Sequence, residues 1–333
     1  MLRPCTIRQH VLAQKQMDEK IKLGISACML GENVRHDGGH KLDHYLKYTL
    51  GKFIQWVPVC PEVECGLPTP RESMQLVGDP ENPRILTIKT HKDYTVQMKK
   101  WICSKVVALK HENVNGFVFK SKSPSCGMQG IKVYPSSSGI SVGKGIGLFA
   151  RGFMEKFTYV PTEDDCHLQV PERRENFIEN VFVFYRWKKF LKEDGSIKGL
   201  TTFHANHKLL IMSHSTETVK DLGKMAAQPG GTGKKDLFDQ YCKTLMTALK
   251  LKATVKKNIN VLQHILGYFK RELSSWEKKE LLGIIEQYRE KQSPLIVPVT
   301  LLRHYAHKYD KEYLKSQYYL NPHPMEFRLR NQF

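Results

Sequence analysis

No stretch of the sequence approaches the roughly 20 consecutive apolar residues that a membrane-spanning helix needs. The opening residues, MLRPCTIRQHVLAQKQMDEK, lack the apolar core of a secretory signal. Together these absences give the expectation of a cytoplasmic protein, whose thiols stay reduced. No segment repeats, which excludes a solenoid. Acidic residues are scarce: 33 Asp and Glu face 52 Lys and Arg, for a net charge of +19. That excess points to a polyanionic partner such as nucleic acid. A short cysteine run is also missing, although the chain has eight cysteines. A disulfide framework does not suit a reducing compartment, so any special cysteines are expected to be ligands or catalysts.

What is present is a globular composition, 41% apolar and 26% charged, in a chain of 333 residues, long enough for two domains. The charge is uneven: +9 over residues 1–150, −3 over 151–180 and +13 over 181–333. The C-terminal half is therefore the better candidate for meeting phosphates.

The first half alternates short apolar runs with amphipathic stretches. Strands are predicted at residues 23–27, 53–59, 85–89 and 116–119, and helices at 41–51, 94–110 and 145–157. That alternation predicts an α/β domain with a mostly parallel sheet. The Ser/Gly-rich stretch 136–147 reads as a loop. From about Pro171 the period becomes helical, with helices predicted at 174–192, 197–212, 237–251, 255–273, 276–291 and 299–309. Ser274 and Glu277 have capping-box spacing, and QPGGTGKK at 228–235 breaks the pattern as a loop. This second half reads as an all-α bundle.

Cys28 in SACMLGENVRHDGG and Cys60 in VCPEVECG each follow a predicted strand directly, and Cys126 in SPSCG follows one after a few residues. Ligands in open α/β sheets collect outside the carboxyl ends of the strands, so these thiols are placed to converge. Three thiolates without a nearby fourth Cys or His suit an iron–sulfur cluster with one open iron better than a closed zinc site. Buried core thiols remain the rival reading. Cys65, four residues beyond Cys60 in the intervening count, is either a further ligand or a neighbouring thiol. Cys103 looks like core, and Cys5, Cys166 and Cys242 stand alone.

SACMLGENVRHDGG, VCPE followed by GLPTPR, and SPSCG together resemble the thiouracil desulfidase (TudS) family over about residues 20–165. FHANHKLLIMSHS, NVLQHILGYFK, PLIVPVTLLRHY and YLNPHP resemble the YbgA-like domain. The resemblance implies a desulfidase domain at 20–165, a linker helix region at 166–186 and a helical, RNA-binding domain at 187–333. It also implies a 4Fe-4S cluster held by Cys28, Cys60 and Cys126, with Glu62 and Ser123 as the acid/base pair. Thiolated tRNA or thiouracil would be the substrate. Stand-alone members usually carry Gly where this chain has Cys65, which is left out of the ligand set.

Beside those roles stand plainer ones: a surface carboxylate for Glu62 and a turn cap before Pro124 for Ser123. Arg35, Asp37 and Arg71 lie in the same motifs and would orient substrate or backbone. His204, His207 and His214 have helical spacing but no carboxylate or Cys beside them in sequence, so they read as packed or RNA-facing rather than metal-binding. Lys256, Lys257, Arg303, His304, Arg328 and Arg330 are candidate phosphate contacts. Two other functions compete: a non-catalytic RNA-binding sensor carrying a cluster, and a cluster-dependent dehydratase.

Overall fold

The computed structural model describes residues 20–135, 140–141, 143–227 and 233–322. Cys5, Arg328 and Arg330 lie outside them, as does most of the 228–235 loop. The chain divides into two compact units between Leu168 and Gln169.

In the N-terminal unit, β1 (Ile21–Ser26), β2 (Ile54–Val59), β5 (Phe117–Phe119) and β8 (Thr162–Asp164) form one sheet in the order β2-β1-β5-β8, with every pairing parallel. The register of β1 on β2 runs from Ile21 opposite Ile54 to Ser26 opposite Val59, so both strands end level. Gly24 in β1 has no Cβ because one would sit 2.1 Å from the Phe117 ring on the neighbouring strand. The expected parallel sheet is therefore present.

A second sheet was not expected. It joins β3 (Met74–Val77), β4 (Arg84–Thr87), β6 (Ile131–Tyr134) and β7 (Gly143–Gly145) in the order β4-β3-β6-β7. The strand expected at 85–89 belongs here, antiparallel to β3. Part of the expected 136–147 loop is β7, paired antiparallel with β6.

Among the described residues this unit also has three α-helices: α1 (Pro61–Glu64), α2 (Thr95–His111) and α3 (Leu148–Lys156). Met98, Ile102, Val106 and Leu109 recur along one face of α2 and enter the core with Phe117, Phe119, Phe149 and Phe153. The helix expected at 41–51 shrinks to a π-helical turn at Tyr45–Thr49 and a 3₁₀ turn at Leu50–Lys52.

The C-terminal unit is helical, as expected. It comprises α4 (Pro171–Glu193), α5 (Ile197–His214), α6 (Thr216–Ala227), α7 (Lys234–Leu249), α8 (Val255–Leu266), α9 (Ser275–Arg289), α10 (Ile296–Lys308) and the short α11 (Glu312–Lys315). The 166–186 stretch read as a linker helix region holds a 3₁₀ turn at His167–Gln169 and more than half of α4, where Phe177, Ile178 and Val181 are buried. Pro171 starts α4 at a position where a missing N–H costs nothing. The Ser274–Glu277 capping box forms in both directions at the start of α9. Helix α8 stops at Leu266, short of the expected 273, and gives way to a 3₁₀ turn beginning at Gly267. Among the described residues no helix is long and apolar enough to cross a membrane.

Candidate active site

Three adjacent parallel strands deliver the three motif cysteines to one sheet edge. Cys28 lies in the 3₁₀ turn just after β1, Cys60 is the residue between β2 and α1, and Cys126 lies in the loop between β5 and β6. That loop is fixed from below: the amides of Leu148 and Phe149, at the start of α3, donate to the carbonyls of Pro124 and Ser125. Gly147 permits the approach, since a Cβ there would lie 2.6 Å from the Ser125 carbonyl oxygen. All three thiols are buried and line a single cavity of about 290 Å³ together with Glu62, Ser123, Arg35, Arg71 and Lys120.

Burial dominates the electrostatics of the thiols. It pushes Cys28 up to about 11 and Cys60 up to about 12, with the Glu62 charge adding to both and Lys120 or Arg71 opposing. Cys126 is raised well above its ordinary value, again by burial first and Glu62 second. A bound metal replaces such protons outright.

Glu62 sits at the start of α1, where the helix dipole favours a carboxylate. Its Oε1 accepts a 2.5 Å hydrogen bond from Ser125 Oγ, and its Oε2 lies 3.5 Å from Cys60 Sγ and 3.9 Å from the buried Arg71 guanidinium. Ser123 reaches Glu62 only through Ser125, whose Oγ is 3.0 Å away. The single Ser125 hydroxyl hydrogen goes to the carboxylate, so Ser123 donates to Ser125. Ser123 Oγ also accepts from the Ser125 and Cys126 amides, so it holds the cysteine loop as well.

Sequence reasoning missed Ser125, which is completely buried at the centre of this chain of hydroxyls. Its only signal was its place inside SPSCG. Also missed was the Lys120–Asp165 pair at 2.6 Å, whose carboxylate further accepts from the Ser121 amide. Burial works against the Asp165 charge, but those hydrogen bonds hold its carboxyl below the usual range. Arg71 holds the Val34 carbonyl at 3.0 Å, and Asp37 caps the turn at the Gly39 amide, so both organise backbone as expected for motif loops. Cys65 is half-buried, does not line the cavity, and directs its thiol to the Glu62 carbonyl at 3.3 Å. Cys103 is exposed, contrary to its reading as core, because it lies on the outer face of α2.

The residues present fit an iron–sulfur cluster. Three buried thiols face one cavity, and among the described residues the buried Nε atoms of Arg35 and Arg71 have no hydrogen-bond partner. Cationic donors beside clustered sulfur suit an anionic thiolate-bound group.

The family described as 2-thiouracil desulfurase matches residues 23–165, and the family described as a protein of unknown function, DUF1722, matches residues 208–324. The YbgA protein of Escherichia coli (strain K12) is 31% identical over 143 residues, covering 42% of this chain and 85% of the relative. The chain belongs to the YbgA-like family, with a TudS-like domain fused to the YbgA-like one. The solved structure of the 4Fe-4S-dependent thiouracil desulfidase TudS is 28% identical with a TM-score of 0.38, covering 46% of this chain and 96% of that one.

In the YbgA-like domain the three histidines do not converge on a metal. His204 Nδ1 meets Tyr241 Oη at 3.0 Å, and His207 Nδ1 donates to the Phe203 carbonyl at 2.8 Å. His214 does have a carboxylate, contrary to its sequence neighbourhood: Glu179 of α4 lies 2.5 Å from its Nε2. Lys257 is tied to the His214 and Lys252 carbonyls at 2.7 and 2.9 Å, which removes it from the exposed cations, whereas Lys256 and His304 are exposed.

Proposed function

We propose that this protein is a hydrolytic desulfidase that removes sulfur from thiouridine in tRNA, or from thiouracil, giving the uracil product and sulfide. The carrying observation is the convergence of three buried thiols on a cavity they share with Glu62. Held by Cys28, Cys60 and Cys126, a 4Fe-4S cluster would offer an open iron, a Lewis acid soft enough to polarise a C=S bond. Water supplies the oxygen that replaces sulfur, so no net electron transfer is needed.

Glu62 takes the proton of the attacking water. Ser125 Oγ holds Oε1 at 2.5 Å, and Oε2 faces Cys60 Sγ at 3.5 Å. The Arg71 guanidinium, 3.9 Å from Oε2, faces the same carboxylate. In the return step the two hydroxyls reverse: Ser125 accepts from the protonated Glu62 and donates to Ser123, which donates to the ring nitrogen of the product. Residues 181–333, at +13, supply the charge that holds the RNA phosphates.

Sulfide release by the anaerobically prepared full chain tests this reading, with thiolated tRNA and free thiouridine as parallel substrates. Both should yield sulfide. Activity on tRNA alone should fall steeply with salt, by about 0.9 log units per decade for each duplex phosphate contact that limits binding. Absence of sulfide from either substrate, with the iron fully loaded, overturns the proposal.

A further inference from the structure

The YbgA-like unit encloses a cavity of about 460 Å³, within the range that holds a small organic ligand. One wall is α4, which contributes Glu172, Glu175 and Glu179. Spacings of three and four residues put these carboxylates on one helix face. At the inner end, Glu179 and His214 are buried together, 8% and 1% exposed. His214 Nδ1 donates to the Leu251 carbonyl at 2.6 Å, and one proton lies between its Nε2 and Glu179. Val255, Leu295 and the ring of Tyr288 give the cavity apolar walls. Lys252 and Lys291 are exposed at its rim, and the N-terminal ends of α8 and α10 begin beside it, at Thr254 and Leu295.

From this combination we infer a second binding site, for a nucleotide whose base carries N–H donors on its pairing edge. A simple anion would meet three carboxylates, and a simple cation would leave the apolar walls without a partner. A planar base satisfies both features, stacking between apolar side chains while donating to carboxylate oxygens. Each carboxylate has about four acceptor positions, so existing partners do not exhaust it. Guanine fits best, because its N1–H and N2–H point the same way and match two oxygens of one carboxylate. Its phosphate then falls to Lys252, Lys291 and the two helix N-termini. The base read here differs from the one that reacts, since uracil offers a single N–H. The nucleotide is either part of an RNA or free. Only the RNA source rests on the proposed tRNA reaction.

Calorimetric titration of the full chain with GMP, IMP and UMP tests the site. GMP should bind saturably, IMP about tenfold more weakly for want of the N2 amine, and UMP more weakly still. Glu175→Gln should weaken GMP about tenfold or more, the scale of one charged hydrogen bond. Lys291→Ala, which shortens an exposed side chain, should weaken GMP but not guanosine. Competition by unmodified tRNA assigns the site to an RNA nucleotide, and GMP binding without competition assigns it to a free one. No saturable GMP binding at millimolar concentration, or equal affinity for GMP and UMP, overturns the inference. Sulfide release from free thiouridine in the same preparation separates the two failures. A chain that desulfurates but binds no GMP lacks this site, and one that binds GMP but releases no sulfide lacks the proposed activity.

Discussion

Buried polar groups are treated differently in the two units. In the helical unit, Gln317 is fully buried and satisfied at both ends, accepting from the Leu209 amide and donating to the Ala205 carbonyl at 2.7 Å. Tyr319 and Asn258 pair at 3.0 Å, and His214 has a partner on each ring nitrogen. In the N-terminal unit the Cys60 thiol meets the Val34 carbonyl at 3.7 Å and Glu62 at 3.5 Å, ordinary hydrogen-bond distances for sulfur. The helical unit pairs these groups with one another, although the buried Asn180 Oδ1 and His207 Nε2 have no hydrogen-bond partner among the described residues. The TudS-like unit buries three thiols around one cavity, where burial raises each above its ordinary value.

The largest effect that would sharpen this contrast lies in the helical unit. Glu179→Ala leaves His214 buried without its carboxylate and should cost about 3 kcal/mol or more of stability. Iron content and activity on free thiouridine should be unchanged below the new melting temperature. If iron were lost with it, the units would not be independent in the way their separate cores suggest.

Next is Glu62→Gln, expected to lower the rate about a hundredfold or more with the iron retained and the melting temperature little changed. Ser125→Ala should also slow turnover, because Glu62 Oε1 loses its 2.5 Å donor. Wild-type turnover in both variants would remove the acid/base role.

A smaller effect follows from the thiols. Their folded values are raised above the ordinary 9.0, to about 11 for Cys28 and about 12 for Cys60. A raised value stabilises the fold fully below the unfolded value and ceases to do so as pH rises through the folded one. The cluster-free chain should therefore lose stability from about pH 9 upward, and Cys60→Ala should flatten that decline. Denaturant midpoints across this window decide it. The smallest change is Ser274→Ala, which breaks the α9 capping box and should cost about 1 kcal/mol by denaturant titration.

Much of the site was legible because its signals are local. β-branched and apolar runs marked β1, β2 and β5, and each cysteine stood just past one of them, so parallel pairing alone brought them together. What escaped depends on tertiary placement. Ser125 differs from Ser123 only in being wholly buried against Glu62, 63 positions away in sequence. Glu179 and His214 are 35 positions apart and on different helices, so local spacing could not pair them. The second sheet was missed because β3, β6 and β7 are three or four residues long, and Gly143 and Gly145 read as loop. Helix α6 was hidden in the same way, by an exposed face dense in Thr, Glu and Lys.

The central claim is that Cys28, Cys60 and Cys126 together hold the cluster. Iron and zinc analysis of anaerobically prepared protein, wild type and single Ala variants, tests it most directly. The account predicts a brown wild-type protein with about four irons per chain, as a 4Fe-4S cluster requires. Each of the three variants should lose that iron and colour, and Cys103→Ala should keep both. Stoichiometric zinc in the wild type, or full iron in any of the three variants, would contradict it.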